Sequence, residues 1–196
     1  YDGLCSFLHA GFTVIVIDGL NKYLVLETKG NIFRSVDKPE SENTYRGAKD
    51  AFTENYQINV GLIKRRIRSN KLRIKNFQKG KYTKTDISVI SISGKIKNNV
   101  LKEIYKEIEN IDIDGIINEG DIKNLITKKT KAFFPIVKTT ERPDIASLAL
   151  LNGKAIILID NCPYVLIVPA VLNDFFKTTE DMYGKKFNVS LTRIIK

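Results

Sequence analysis

The chain has 196 residues, 43% of them hydrophobic and 28% charged, with 32 Lys and Arg against 22 Asp and Glu for a net charge of +10. That balance is ordinary for a globular chain of one compact domain or two small ones, and it excludes collagen, coiled coil and wholesale disorder. The charge suits an acidic partner (nucleic acid, an anionic membrane surface or acidic protein), and no uncharged apolar run approaches the ~18–20 residues of a membrane span.

The first residues, Tyr1-Asp2-Gly3-Leu4-Cys5, show neither an initiator Met nor a signal peptide, so the chain is expected to be a piece of something longer. Gly11 lets the backbone turn in, and Val14 to Ile17 form a β-branched run fit for a buried strand. Asp18-Gly19-Leu20-Asn21-Lys22 supply turn chemistry, and Leu24-Val25-Leu26 return, which makes a β-hairpin. Its second strand is expected to end near Val36, before the polar loop Asp37-Lys38-Pro39-Glu40-Ser41.

Ala48, Ala51, Phe52 and Tyr56 have helical spacing, and Asn59 is placed to cap a second helix with Leu62, Ile63 and Ile67 on one face. Lys64, Arg65, Arg66, Arg68, Lys71, Arg73 and Lys75 concentrate positive charge in one stretch, which Gly80 interrupts. Ile87, Val89, Ile90 and Ile92 predict a strand over 85–93. Val100, Leu101, Ile104, Tyr105 and Ile108 predict a helix over 98–110, Ile111 to Ile113 a short strand, Ile122, Leu125 and Ile126 a helix over 119–128, and Phe133 to Ile136 a short extended piece.

The hairpin then repeats. Leu150-Leu151-Asn152-Gly153 leads into Ile156-Ile157-Leu158-Ile159-Asp160 as Leu8-His9-Ala10-Gly11 leads into Val14-Ile15-Val16-Ile17-Asp18, at a constant offset of about 142 residues, and Leu166-Ile167-Val168 answers Leu24-Val25-Leu26 at that offset. The fold class is therefore α/β, as two small mixed αβ subdomains. Residues 1–80 with 141–196 are expected to build one around the two repeated hairpins, which share it, together with the basic helices. Residues 81–140 read strand-helix-strand-helix-strand, a βαβαβ-like unit with a largely parallel sheet.

Reactive chemistry is sparse. His9 is the one histidine and sits on an apolar lead-in to a strand. Asp18 and Asp160 are symmetric in the repeat, and hairpin turns account for them. Cys5 and Cys162, the two cysteines, have no zinc-ligand spacing, and a reduced cytosolic chain follows. The acidic stretch Asp112, Asp114, Glu119 and Asp121 lacks the spacing of a calcium loop. No nucleotide, dinucleotide or zinc-protease motif is present, so neither an enzyme, a cofactor nor a metal is expected.

Two dense polar blocks remain. The first is Glu42-x-x-x-Arg46-Gly47-x-x-x-Ala51-Phe52-Thr53-Glu54-Asn55, followed by Asn59-x-x-Leu62-x-x-Arg65-Arg66-Ile67-Arg68. The second is Phe134-Pro135, then Thr140-Glu141-Arg142-Pro143-Asp144, then Leu151-x-Gly153-Lys154-x-x-Ile157-x-Ile159-Asp160-x-x-Pro163. Pro169 and Glu180-Asp181-Met182-Tyr183 close the chain's pattern. In order and spacing the whole resembles the A subunits of Ger-type (GerA family) spore germinant receptors. Ala48-Lys49 departs from the family's Pro-containing pair, and Met182 stands where an aromatic is common.

The resemblance implies a non-enzymatic soluble domain on the cytosolic side of the spore inner membrane, acting in receptor assembly and in signal transmission to a membrane domain beyond Lys196. The partners it implies are the B and C subunits and the chain's own membrane domain, and the nutrient pocket falls to the B subunit. Glu42, Arg46, Gly47, Glu54, Asn55, Asn59, Arg65, Arg66, Arg142, Pro143 and Asp144 are its motif, structural or interface residues. A small-molecule module with a pocket between the two subdomains is the alternative. A nucleic-acid binder rests on charge and on Tyr56 and Phe77 as stacking candidates, and no nucleic acid is expected.

Two expectations follow from the residues themselves. The Lys64–Lys75 cluster reads as a surface facing a membrane or another subunit. Arg142, held extended by Pro143, reads as a buried clamp paired with Glu42, Glu54 or Asp144.

Overall fold

In the computed structural model, which describes residues 13–20, 22–26, 38–39, 41–42, 47–127, 137–171 and 174, both hairpins of the repeat form. Strands β1 (Thr13–Val16) and β2 (Tyr23–Leu26) pair antiparallel. So do β6 (Ala155–Ile159) and β7 (Val165–Val168), and the registers match at the repeat offset: Val14 faces Val25 as Ile156 faces Ile167, and Ile15 faces Leu24 as Ile157 faces Leu166. Gly153 has φ +79°, and a Cβ there would stand 2.6 Å from the Lys95 carbonyl oxygen, so the turn into β6 requires glycine.

The surroundings of the two copies differ. Strands β6 and β7 are buried at every position, as strands covered on both faces are. Their outer edges are filled by β4 (Thr85–Ile92) on one side and β5 (Lys138–Thr140) on the other, and β3 (Leu72–Lys79) completes the sheet in the order β3-β4-β6-β7-β5. Every pairing is antiparallel. Hairpin β1–β2 stands in a two-stranded sheet of its own, with Val16 64% and Leu20 58% exposed.

Four helices among the described residues cover the five-stranded sheet. On one face, Ile87, Val89, Ile157 and Leu166 pack with Ile104 and Ile108 of α2 (Asn98–Glu109) and with Ile122 and Ile126 of α3 (Glu119–Thr127). On the other, Ile90, Ile156, Leu158 and Ile167 pack with Leu62 and Ile63 of α1 (Tyr56–Arg66), with Ala146 and Leu150 of α4 (Pro143–Leu151), and with Phe52. Among the described residues no helix is long and apolar enough to cross a membrane.

The mixed α/β class is as the sequence reads, but its internal arrangement is not. The chain divides into Tyr1–Phe33 and Arg34–Lys196, not into 1–80 with 141–196 and a separate 81–140. Strands β3 and β4 pair across residue 80, and β4 pairs with β6, so the expected boundaries run through one sheet. The hairpins therefore do not share a sheet, because the edges of the second are already satisfied by β4 and β5. The parallel βαβαβ arrangement fails for the same reason: β4 takes antiparallel neighbours on both sides.

Residues 111–113 are not a strand, although Ile113 accepts the Lys81 N–H (3.0 Å). The expected strand end near Val36 and the piece at 133–136 lie outside the described residues. The basic stretch past Lys71, to which the residue pattern assigns no element, is the edge strand β3. Residues 48–53 are not helical, and Asn59 lies inside α1 rather than capping it. Asn55 is the cap: its side chain accepts the N–H groups of Gln57 (2.8 Å) and Ile58 (3.2 Å), which starts the helix at Tyr56.

The repeat makes a direct test of environment against local sequence. Ile157 is fully buried between sheet and helices and Ile15, its counterpart, is 41% exposed. Ile157→Ala is expected to cost about 2–5 kcal/mol, and Ile15→Ala about 1 kcal/mol or less. Urea unfolding of the two variants checks the difference.

Candidate functional site

Strand β5 delivers Thr140, Glu141 and Arg142 to one end of the sheet, and Pro143 then opens α4 from its first turn. Proline is tolerated there because the first helical N–H has no intrahelical acceptor. It also disfavours helical geometry at the residue before it, and Arg142 is extended at φ −103°, ψ 119°. The Arg142 backbone N–H donates to the Thr140 hydroxyl (3.2 Å) and its carbonyl accepts the Ala146 N–H (3.1 Å), the first bond of the helix.

The Arg142 side chain is fully buried. Its Nη2 lies 2.7 Å from Asp144 Oδ2 and its Nε 3.1 Å from Asp144 Oδ1, a bidentate fork. Nη1 donates to the Glu42 carbonyl (3.0 Å) and Nη2 to the Ala48 carbonyl (3.2 Å). The expected clamp is present, with Asp144 as its carboxylate and Glu42 serving through its backbone. Asp144 also sits in the first turn of α4, where the helix dipole favours negative charge.

The carboxylates of Glu42 and Glu141 are exchanged between the two segments. Glu42 Oε2 accepts the Thr140 hydroxyl (2.6 Å) and the Glu141 N–H (3.1 Å). Glu141 Oε1 accepts the Ser41 N–H (2.7 Å), the Ser41 hydroxyl (2.8 Å) and the Glu42 N–H (2.7 Å). The Phe52 N–H donates to the Glu141 carbonyl (2.8 Å). The first polar block is thus bound along the second.

The rest of the first block is organised around Thr53 and Asp50. Asn59 is buried, its Oδ1 accepting the Thr53 N–H (2.8 Å) and its Nδ2 donating to the Thr53 carbonyl (2.6 Å), so one side chain satisfies both backbone groups of a buried residue. Arg65 Nη2 (2.9 Å) and Arg66 Nη2 (2.5 Å) both hold the Asp50 carboxylate. The Glu54 carbonyl accepts the Asn161 N–H (3.0 Å), which ties the entry of α1 to the turn between β6 and β7. Gly47 has φ +122°, a conformation that favours glycine. Arg46 and His9 lie outside the described residues.

Sequence reasoning offered Asp144 among three acceptors for Arg142, and Glu42 and Asn59 without the partners they have here. It placed Thr53, Thr140 and Glu141 within the polar blocks without giving them a role and did not name Asp50, because the spacing of these residues from their partners follows no local rule.

Reactive groups elsewhere are held quiet. Burial pushes the Cys162 thiol up to about 11, helped by the Glu119 carboxylate that accepts its hydrogen bond (3.3 Å), against an opposing hydrogen bond from the Tyr164 backbone. Burial also raises the Tyr56 hydroxyl, which donates to Asn76 Oδ1 (3.1 Å) and contacts the Ser88 hydroxyl. Among the described residues no group of three or more His, Cys, Asp and Glu side chains is placed to hold a metal ion.

Arg142→Ala removes the guanidinium from a half-buried carboxylate and two carbonyls, and is expected to lower stability by about 3 kcal/mol; thermal and urea unfolding measure it. The Cys162 thiol, neutral in the fold to about 11 against an ordinary 9.0, contributes stability that is complete below pH 9 and is lost as pH rises through 11. Cys162→Ala should flatten the alkaline limb of a pH–stability profile over that window.

The sequence matches the family described as Bacillus/Clostridium GerA spore germination protein over residues 1–196. Spore germination protein KA of Bacillus subtilis is 37% identical over the whole chain, and spore germination protein GerLA of Bacillus cereus is 32% identical over the whole chain. An uncharacterized membrane protein of Bacillus subtilis, YfkQ, is 34% identical over 95% of it. The chain spans 36–40% of the length of these curated relatives. A crystal structure of the N-terminal domain of the A subunit of the Bacillus megaterium spore germinant receptor GerK3 matches with a TM-score of 0.50 at 38% identity, over 62% of this chain and 97% of that one. The chain therefore belongs to the GerA family of spore germination proteins.

Proposed function

We propose that this chain is the N-terminal domain of a germinant-receptor A subunit, and that it works without catalysis as a rigid assembly and signalling module at the cytosolic face of the spore inner membrane. Its partners on this reading are the B and C subunits and the membrane domain of its own subunit. The observation that carries the reading is the state of the polar blocks. Among the described residues every buried side-chain nitrogen and oxygen has a hydrogen-bond partner. Arg142, Glu141 and Asn59, the residues a ligand site would draw on, are spent on the chain's own backbone. Groups arranged in this way hold a shape, and a domain with a fixed shape docks and relays.

The full-length subunit carrying Arg142→Ala, expressed in spores, tests this. The expected result is a fall in receptor abundance on immunoblots, with germination slowed in proportion and the nutrient preference unchanged. Normal receptor abundance with an altered nutrient preference would overturn the reading in favour of a nutrient-binding module.

A further inference from the structure

The five-stranded sheet has two chemically different ends. At one end lie the start of β3, the end of β4, the start of β6 and the end of β7, because Leu72 faces Ile92, Ile90 faces Ile156 and Ala155 faces Val168. The turns at this end are 67–71, 93–97 and 152–154. At the opposite end lie Glu42, Glu54, Asp86, Glu141, Asp144 and Asp160, around the turns that precede α1 and α4 and follow β6, together with Lys79, Lys81 and Lys84 around the β3–β4 turn, where Lys81 pairs with Asp112. The net charge of the chain is therefore not spread evenly over this unit.

Lys64, Arg68, Lys71, Arg73, Lys95 and Lys97 stand exposed at the first end. None of the six has an acidic partner among the described residues. The guanidinium groups of Arg68 and Arg73 rest on the carbonyls of Arg65 (3.2 Å) and Asn70 (2.7 Å), which orients them and leaves their charge uncompensated. The acids nearby are committed: Asp50 to Arg65 and Arg66, and Asp174 to Lys154. Since β7 ends here, this is also the end from which the backbone leaves the sheet toward residues 172–196.

We propose that this end of the sheet is a docking surface for an anionic phospholipid bilayer. The inference rests on the reading of the chain as a domain beside a membrane, and it names the surface that faces the lipid. Six uncompensated cations on the short turns at one end of a sheet present charge to a plane, and each cation near an anionic leaflet strengthens attachment about fivefold. A nucleic acid fits less well, because residues 64–73 and 93–98 contain no aromatic side chain on which bases would stack. Lipid-facing charge here would orient the module with its acidic end and its Arg142 clamp turned away from the bilayer.

The test is co-sedimentation of the 196-residue chain with vesicles of phosphatidylcholine containing about 30% phosphatidylglycerol, against vesicles of phosphatidylcholine alone. Binding to the anionic vesicles alone is expected, falling as salt rises from about 0.05 M to about 0.5 M. The triple variant Arg68→Glu, Lys71→Glu, Arg73→Glu should lose about 100-fold or more in partitioning. A control with the same change in net charge at residues away from this end, Lys81→Glu, Lys84→Glu, Lys106→Glu, should keep most of it. Thermal melts report folding, and if the reversals unfold the chain, Arg68→Gln, Lys71→Gln, Arg73→Gln should show the same loss in a milder form. Equal binding to neutral vesicles, equal loss in patch and control variants, or displacement from the vesicles by an equal charge of single-stranded DNA would each overturn the proposal. The spore experiment above can succeed while this one fails, in which case only the lipid surface falls.

Discussion

A guanidinium has five N–H donors and keeps its charge at any pH a protein meets, so burying one commits its surroundings. Among the described residues, the commitment at Arg142 is met by one carboxylate two residues on and by two carbonyls about a hundred residues back, those of Glu42 and Ala48. Neither source suffices alone. Asp144 neutralises the charge and leaves donors unsatisfied, while the carbonyls satisfy donors and leave the charge. The segment containing Glu42 and Ala48 therefore cannot leave the β5–α4 corner without leaving buried guanidinium donors unsatisfied. The exchanged carboxylates of Glu42 and Glu141 reinforce the same attachment from both sides.

From that corner the architecture propagates in two directions. Pro143 and the Arg142 carbonyl start α4, which lays Ala146 and Leu150 on one face of the sheet. The Phe52 N–H on the Glu141 carbonyl sets the approach to α1, and Asn55 and Asn59 then fix where that helix begins and what its first turn rests on. One helix thus stands where two apolar patterns suggested two. The Asn side chains win because each replaces backbone hydrogen bonds that a longer helix would have needed elsewhere.

The sheet's long edge strand shows how charge and pairing are handled together. Strand β3 pairs with β4 on one side only, and its Arg73, Lys75 and Lys79 discourage pairing on the other. Lys75 is engaged with Glu109 at 2.8 Å and lies over the Tyr105 ring at 4.2 Å, so this part of the basic stretch belongs to the fold. The charge left uncompensated is that of the turns at the strand's start.

The family was legible in the order and spacing of two polar blocks. The hairpin repeat was legible too, down to its register, because alternation and turn chemistry are local. So was the extended geometry of Arg142, which Pro143 dictates across one peptide bond. What the sequence by itself could not determine was everything set by a partner distant along the chain. The burial of one hairpin and the exposure of its twin, the antiparallel course of β4, the extended path of 48–53 and the choice of Asp144 over Glu42 and Glu54 all belong to that class. Each was decided by which strand edge or which unsatisfied polar group was already occupied when the chain closed on itself, and local residue patterns do not carry that information.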